Sequence, residues 1–355
     1  MIIALDATSL TGSTGGVPRY TLALALALAE NFPDDQYWLL SDQAFTVPSG
    51  LPPNLRAGDR PTGFQARRWW MWGLPRTLAR LGVEVFHGTD FSVPYSFRRP
   101  SVMTLHDLSP WLDPHWQPAA GRVRRRTPLL LRSGLCTMVI TPTEAIRRQA
   151  IERFGLAPDR VIAIPLAAES RFHPVRATPP VVPYFLFVGT LEPRKNIPRL
   201  VEAWREVRKS HNVDLVLAGR TRSDFVTPAV EPGLRVLGPV PDSELPALYS
   251  GALACVYPSL YEGFGLPVLE AMQCGALVIT SKDPAIREVA GEAAVHVDLA
   301  GTGALADALK AAVSQPDRFL DLRQKAVARA GEFSWTKTAQ RTREVYDRAI
   351  RAFRQ

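Results

Sequence analysis

The sequence predicts an α/β protein built from two doubly wound, Rossmann-like domains. Short β-branched or apolar runs alternate along the chain with longer stretches suited to helix, as in parallel sheets covered by helices. The chain has 355 residues, which is about twice the usual length of a domain. Hydrophobic residues make up 46% of the chain, which lets each half bury a core.

The alternation predicts six strands in each half of the chain. In the first half they are expected at residues 2–5, 37–40, 83–86, 102–105, 138–141 and 161–164. In the second half they are expected at residues 184–188, 213–218, 234–237, 254–257, 277–280 and 294–297. Residues 21–29 alternate Leu with Ala like a strand, but their strong helix formers favour a buried helix. We expect one helix capped by Asp242 and a last helix from near Ser334 toward Phe353.

These elements predict three segments. Residues 1–170 form an N-terminal Rossmann-like domain, residues 171–332 form a second Rossmann-like domain, and residues 333–355 form a helix that crosses back to the first domain. The proline-rich stretch 174–183 interrupts the alternation and is interpreted as the interdomain linker. In such sheets ligands bind at the carboxyl ends of the strands, so functional residues are sought in the loops that follow strands.

The cysteines and the hydropathy pattern predict a cytoplasmic protein that is soluble or peripheral to a membrane. Cys136, Cys255 and Cys274 are odd in number and lie in apolar runs, which is typical of reduced, buried thiols. The first residues form an apolar strand-like run, 2–5, rather than a basic leader. No run reaches the length of about 18 apolar residues that spans a bilayer.

Two glutamates surround a glycine turn after the strand predicted at 254–257. The run Glu262-Gly-Phe-Gly-Leu-Pro leads into a helix that carries Glu270. Gly263 and Gly265 permit unusual backbone conformations, and Pro267 suits a first helical turn. The amides of the next residues would then form an anion site at the helix N-terminus; these residues are Phe264, Gly265 and Leu266. Glu270 is placed to accept ribose hydroxyls, and Glu262 to reach a transferred sugar. The alternative is a plain glycine turn with two solvated glutamates.

A basic pair follows the strand predicted at 184–188. Arg194 and Lys195 stand near a helix start, where they would neutralise the phosphates of a leaving nucleotide. A solvated basic pair is the alternative, but it would place positive charge at the unfavourable end of the helix dipole.

Two loops of the first domain carry weaker signals. Gly15 and Gly16 let the backbone approach a phosphate or an acceptor, although a flexible turn is the alternative. The loop is not a G-x-G-x-x-G fingerprint. His106 directly follows the strand predicted at 102–105, where either a catalytic or a structural histidine is possible. Asp107 is expected to orient the loop or the imidazole.

The acid, seven residues, acid pattern from Glu262 to Glu270 resembles the signature of retaining glycosyltransferases of family four, which have the GT-B fold. The resemblance includes the run 188–196 and extends along essentially the whole chain. It implies two Rossmann-like domains with a cleft between them, a nucleotide-sugar donor on the second domain and an acceptor on the first. Among members of the family, the chain looks most like GDP-mannose-dependent mannosyltransferases of bacterial polysaccharide assembly.

The resemblance also implies roles for single residues. Arg194 and Lys195 are expected to bind the donor diphosphate and stabilise the leaving group. His106 and Glu262 are expected to contact the donor sugar, and the loop with Gly15 and Gly16 to close on the phosphates. The acceptor is expected to be a glycan or a lipid-linked glycan. UDP-glucose or another sugar nucleotide is the alternative donor, and a sugar-nucleotide epimerase or a silent sugar-nucleotide-binding scaffold is the alternative function.

No metal or other cofactor is expected. His87 and His106 are single, and no Asp-x-Asp follows a strand. Arg194 and Lys195 would supply the charge that a metal provides elsewhere.

The net charge of +8 is concentrated in one arginine-rich region, between Arg60 and Arg132. The segments 65–72 and 122–126 interleave arginines with apolar residues, and the first contains three tryptophans, as expected for contact with an anionic membrane surface. Nucleic acid is not an expected partner, because no nucleic-acid-binding motif is present. The chain contains 36 arginines and six lysines, so codon bias is the other explanation for this region.

Overall fold

The computed structural model describes residues 1–12, 15–96, 98–176, 180–229, 231–301 and 303–354. The chain folds into two compact units. The first contains Met1–Leu166 and Ser334–Gln355, and the second contains Ala167–Phe333.

The first unit is built on a parallel sheet of seven strands. The strands are β1 (Ile2–Asp6), β2 (Gln36–Leu40), β3 (Leu55–Ala57), β4 (Val85–Gly88), β5 (Ser101–Thr104), β6 (Met138–Thr141) and β7 (Val161–Ala163). Their order in the sheet is β3-β2-β1-β4-β5-β6-β7, and every neighbouring pair is parallel. The helices before the chain leaves this unit are α1 (Gly16–Asn31), α2 (Gly63–Arg67), α3 (Leu74–Arg80), α4 (Ser109–Leu112), α5 (Gly121–Arg132) and α6 (Glu144–Phe154).

The second unit has a six-stranded parallel sheet of the same winding. Its strands are β8 (Tyr184–Val188), β9 (Asp214–Ala218), β10 (Leu234–Gly238), β11 (Ala254–Tyr257), β12 (Val278–Ser281) and β13 (Val295–Val297). Their order is β10-β9-β8-β11-β12-β13. The helices are α7 (Ile197–Arg208), α8 (Leu245–Gly251), α9 (Leu266–Gln273), α10 (Pro284–Ala290), α11 (Gly303–Ser314) and α12 (Leu320–Ala330).

The last helix, α13 (Trp335–Phe353), belongs to the first unit and packs against α1 and the middle of the first sheet. Ser334 caps α13 by accepting a hydrogen bond from the backbone N–H of Lys337 at 3.2 Å. None of the helices within the described ranges combines the length and the apolar character needed to cross a bilayer.

Both sheets have the strand order of doubly wound folds, in which the order reverses beside the first strand. The reversal lies between β1 and β4 in the first unit and between β8 and β11 in the second. Loops that leave the carboxyl ends of these paired strands diverge and form the usual ligand crevice. The loops after β1, β4, β8 and β11 are therefore the expected ligand-binding loops of the two sheets.

The predicted strands and helices agree with the structure except at particular places. The predicted strands all occur, and residues 21–29 lie inside the buried helix α1. Strand β3 was missed, because it has only three residues and only Leu55 among them is buried. Asp242 does not cap a helix: α8 has Glu244 at its N-cap and no side-chain cap. The three cysteines are free and buried, as predicted.

The interpretation of the proline-rich stretch as a linker is wrong. The chain passes between the units at residues 166–167 and 333–334, so this stretch lies inside the second unit. The N–H of Val175 donates to Ser250 Oγ at 3.1 Å, and Pro183 O accepts from the Asp214 N–H at 2.9 Å. Pro179 lies outside the described residues. Prolines cannot extend a strand or helix interior, but their carbonyl groups and neighbours still pack against a domain.

Candidate active site

The loop after β8 brings a basic pair back toward the sheet. Gly189 has φ 150°, and the loop ends in a short 3₁₀ turn, Pro193–Lys195. Asn196 then adopts the left-handed conformation, with φ 56°, immediately before α7. Lys195 is 5% exposed, so its ammonium is held inside the protein rather than in solvent.

The loop after β11 brings an acid to the same edge of the sheet. Gly265 is the N-cap of α9 and has φ 88°, a conformation that favours glycine. Glu262 precedes this turn and is 5% exposed. Because β8 and β11 are hydrogen-bonded neighbours, the two loops meet: the N–H of Leu260 donates to the carbonyl oxygen of Arg194 at 2.8 Å.

Glu262 joins the two predicted cations in one buried cluster. Its Oε2 accepts from Arg194 Nη1 at 3.0 Å, and its Oε1 accepts from Lys195 Nζ at 2.5 Å. Arg194 Nη1 also donates to the carbonyl oxygen of Tyr261 at 3.0 Å. Lys195 Nζ donates to Tyr257 Oη at 2.6 Å and lies 4.8 Å from the centre of that ring. Three predicted site residues therefore lie within hydrogen-bonding distance at the reversal point of the second sheet.

The charges of this cluster are fixed by its surroundings. Burial alone would raise the pKa of Glu262, but Lys195 and Arg194 lower it to about 2. Burial and the neighbouring Arg194 lower the pKa of Lys195, and Glu262 opposes this shift. Glu262 is consequently an anion at any physiological pH. A carboxylate that cannot hold a proton cannot act as a general acid.

Further polar residues extend the cluster and were missed by the sequence analysis. Glu192 Oε1 lies 2.7 Å from Arg194 Nε, and Glu192 Oε2 lies 3.4 Å from Arg222 Nη1. The N–H of Glu262 donates to Asp283 Oδ2 at 3.3 Å. Glu192 stands in the same run as the basic pair, so it could have been recognised as their counter-ion.

The two glutamates of the acid pattern have different neighbours. Glu270 lies on α9, is 2% exposed and accepts a hydrogen bond from Tyr249 Oη at 2.9 Å. The residues predicted to supply amides stand at the start of this helix, with Leu266 as its first residue. The ring of Phe264 packs edge-to-face against Phe333, with centroids 5.9 Å apart. Glu262 and Glu270 therefore have separate surroundings.

The predicted histidine of the first unit follows β5. His106 is partly buried, its ring packs edge-to-face on Tyr20, and its Nε2 lies 2.8 Å from the carbonyl oxygen of Thr89. Because a carbonyl only accepts, Nε2 carries the proton and Nδ1 of the neutral ring is an acceptor. Burial lowers the pKa of His106, against smaller opposing effects of Thr89 and Asp107.

Asp107 serves the loop rather than the imidazole. Its Oδ1 accepts from the N–H of Ser109 at 2.8 Å and from Ser109 Oγ at 2.7 Å, at the start of α4. In the loop after β1, Gly15 is the N-cap of α1 with φ 130°, and Gly16 is the first residue of that helix. Ser13 and Thr14 of this loop lie outside the described residues.

His87 lies in a buried network that the sequence did not reveal. Its Nδ1 is 2.7 Å from Tyr346 Oη, and its Nε2 is 2.8 Å from Thr104 Oγ1, which is itself 2.8 Å from Tyr20 Oη. Burial, with a smaller contribution from His106, lowers the pKa of His87 to about 3. The network connects β4 and β5 to α1 and α13, so His87 has a structural role.

Comparison with known proteins identifies the family. Residues 14–169 match the family described as Glycosyltransferase Family 4, and residues 170–332 match Glycosyl transferases group 1. O-antigen chain mannosyltransferase B of Escherichia coli is 33% identical over 286 residues, which cover 74% of each chain. The chain belongs to glycosyltransferase family 4.

Other relatives agree with this assignment. O-antigen chain mannosyltransferase RfbU of Salmonella typhimurium is 26% identical over 317 residues, covering 84% of this chain and 86% of the relative. Sucrose-phosphate synthase from Thermosynechococcus elongatus superposes with a TM-score of 0.77 at 20% identity, over 98% of both chains. This family-4 member therefore has the GT-B fold, with two Rossmann-like domains, and is a hexosyltransferase that acts on glycans.

Proposed function

We propose that this enzyme transfers mannose from GDP-mannose to a glycan or a lipid-linked glycan, with retention of the anomeric configuration. The observation that carries the proposal is the buried cluster of Arg194, Lys195 and Glu262 at the reversal point of the second sheet. The similarity of the chain to O-antigen chain mannosyltransferases favours mannose as the transferred sugar and polysaccharide biosynthesis as the process.

The chemistry requires stabilisation of charge on the leaving diphosphate. The bond from the anomeric carbon to the phosphate oxygen breaks, and the acceptor hydroxyl forms the new bond from the same face. The proton of the acceptor hydroxyl passes to the departing phosphate oxygen, and GDP is released. Arg194 and Lys195 are the proposed partners of that phosphate, because preformed donors in a buried site need little reorganisation as the charge develops.

Glu262 is proposed to hold these cations and to contact the donor sugar, without acting as a nucleophile. Both of its carboxylate oxygens accept hydrogen bonds from the cations, which lowers their reactivity toward carbon. Glu270 is proposed to bind the ribose, and the amides of Phe264, Gly265 and Leu266 to face the donor phosphates. His106, with Nδ1 as acceptor, is proposed to receive a hydroxyl hydrogen of the donor sugar. Gly15 and Gly16 are proposed to lie beside the donor phosphates.

A panel of sugar nucleotides tests the donor. The purified enzyme should release GDP from GDP-mannose, and the anomeric configuration of the product, read by NMR, should be α. No turnover with GDP-mannose, together with turnover of UDP-glucose, would reassign the donor. Conversion of the donor without any acceptor would indicate an epimerase, and an unchanged rate in Glu262→Ala would remove this site from the mechanism.

We propose that the reaction needs no metal ion or other cofactor. Two cations already stand in the buried cluster, where they would face the donor diphosphate. Dialysis against EDTA should leave the turnover number unchanged. A rate that falls on dialysis and returns with added Mg²⁺ or Mn²⁺ would contradict the proposal.

We propose that the enzyme acts in the cytoplasm, at the inner face of the membrane. Apolar side chains of the arginine-rich region are exposed, at 62% for Phe64, 47% for Trp72 and 67% for Leu129. Such side chains beside arginines suit contact with anionic lipid headgroups. Sedimentation of the protein with anionic but not neutral liposomes, at low salt, is the expected result. Failure to sediment with either would contradict it.

A further inference from the structure

The first unit contains a cavity of about 430 Å³ that none of the predicted site residues lines. Its walls come from the turn after β1, the loop after β2, the loop after β4, and helices α2 and α5. Its volume lies within the range of about 300–1,000 Å³ that is usual for small-molecule sites. Loops from the carboxyl ends of β1 and β4 contribute to it, so it lies at the ligand-binding edge of the sheet.

Three arginines give the cavity its charge. Arg67 on α2 and Arg122 and Arg126 on α5 line it together with one acid, Asp42. Across the described ranges, none of these three guanidinium groups forms an ion pair with a carboxylate. Three positive groups and one negative group leave a formal charge of +2. A phosphate monoester or a pyrophosphate diester, with a charge near −2 at neutral pH, matches this excess.

Fixed hydrogen-bonding groups and rings complete the walls. Arg126 Nη1 donates to Tyr95 Oη at 3.2 Å, and Thr127 Oγ1 donates to the carbonyl oxygen of Phe91 at 2.9 Å, which holds α5 against the loop after β4. Trp69 lines the cavity and is 3% exposed, yet its Nε1 has no hydrogen-bond partner among the described residues. A buried donor without a partner is costly unless a ligand oxygen or water satisfies it.

We propose that this cavity binds the phosphate or pyrophosphate group of the acceptor. The inference rests on the proposed function in one respect, that the first unit receives an acceptor. It assigns that acceptor to the class of phosphorylated glycans, either linked to a lipid through pyrophosphate or free as a sugar phosphate. It also divides the arginine-rich region, because Arg67, Arg122 and Arg126 line the cavity whereas Arg125 on the same helix α5 does not.

Calorimetric titration of the full chain tests the proposal with three probes. They are a short-chain alkyl diphosphate-linked N-acetylglucosamine, the same alkyl N-acetylglucosaminide without the diphosphate, and N-acetylglucosamine 1-phosphate. We expect the first or the third to bind more tightly than the second. Preference for the first indicates a lipid-linked acceptor, and preference for the third indicates a free sugar phosphate. Binding of all three with equal affinity would overturn the proposal.

Variants locate the binding in the cavity. The double variant Arg122→Gln/Arg126→Gln should weaken binding of the tighter phosphorylated probe about tenfold or more, because each arginine offers charge-assisted hydrogen bonds. Arg125→Gln is the matched control, since it removes an exposed arginine from the same helix outside the cavity, and it should change the affinity less than about twofold. Unchanged binding in the double variant, or equal weakening in the control, would overturn the proposal.

Further measurements separate this inference from the proposed function. The double variant should keep the wild-type thermal midpoint and the wild-type KM for the donor. If it unfolds, Arg67→Gln on α2 provides the same test from another helix. If the enzyme used unphosphorylated acceptors with the same KM as phosphorylated ones, the proposed phosphate site would be refuted. The proposed transferase activity would still stand. Tight binding of phosphorylated probes without transfer from any sugar nucleotide would support the phosphate site and contradict the proposed transferase activity.

Discussion

Replacement of Glu262 by Gln tests the central ion pair through stability as well as activity. The change keeps the shape of the side chain but removes the negative charge between Arg194 and Lys195. Breaking a buried pair from one side leaves Lys195 without its ion-pair partner, although Arg194 keeps Glu192, and such a break costs about 3–5 kcal/mol. The pKa of Glu262 leads to a similar figure: it falls from 4.5 to about 2 on folding, and each unit is worth about 1.4 kcal/mol, so the total is about 3 kcal/mol.

The pH dependence has a definite sign. A carboxyl whose pKa is lowered by folding stabilises the protein above its unfolded pKa of 4.5, and this stability is lost as the pH falls toward about 2. The difference between wild type and Glu262→Gln should therefore be greatest at pH 7. By pH 3 it should have lost about 2 kcal/mol.

Urea unfolding of the full chain at pH 7, 4 and 3 measures this difference. Tryptophan fluorescence follows the transition, and Glu292→Gln, an exposed glutamate of the same unit, is the matched control that should stay near the wild-type midpoint. Wild-type stability of Glu262→Gln at pH 7 would refute the reasoning. A destabilisation of equal size at all three pH values would do so too, because it would come from packing rather than from charge.

Three other changes test the proposed role of Lys195 at the leaving group and two parts of the molecule outside the ion pair. Lys195→Met should lower kcat about 10²–10³-fold in a GDP-release assay, because it removes a preformed donor to the leaving phosphate; wild-type kcat would exclude that role. Tyr346→Phe removes the hydroxyl beside His87 and should lower the free energy of urea unfolding by about 1 kcal/mol or more with unchanged kcat; unchanged stability would contradict the role of the network. Gly219→Ala would place Cβ 2.0 Å from a carbonyl oxygen at φ 138° and should cost at least about 3 kcal/mol. Gly303→Ala, which has open space around it, is the control in thermal unfolding, and equal midpoints would contradict the steric argument.

The fold could be predicted because parallel strands that are buried on both faces produce continuous apolar runs. Most strands that the sequence revealed have such a run. β10 is an exception with one buried residue, and β3 has a single buried residue and is only three residues long. The position of the linker could not be predicted in the same way. A run of prolines is disfavoured in strands and helices whether it lies in a linker or in a domain, and the contacts of Val175 and Pro183 place this stretch within the second unit.

The candidate site was predicted residue by residue but not as an arrangement. Arg194, Lys195 and Glu262 were each recognised from their position after a strand, yet the ion pair between Lys195 and Glu262 joins residues 67 positions apart. That contact depends on β8 and β11 being neighbours, and strand order is a property of the folded sheet. The cavity could not be predicted for the same reason, because Arg67 and Arg122 come together only when α2 and α5 line the same cavity in the folded protein.

The balance of charge in the second unit bears on how a diphosphate would be held there. Ion pairs join Arg194, Lys195 and Arg222 to Glu192, Glu262 and Asp224, so their formal sum is zero even before the neighbouring carboxyl of Asp283 is counted. Excess positive charge therefore does not account for attraction of a dianion. What the acids provide is a fixed position for the cations, so that Arg194 and Lys195 need not reorganise when negative charge appears on the leaving group. Under the proposed function, oriented backbone amides, such as those at the start of α9 after Gly265, are expected to supply the remaining attraction.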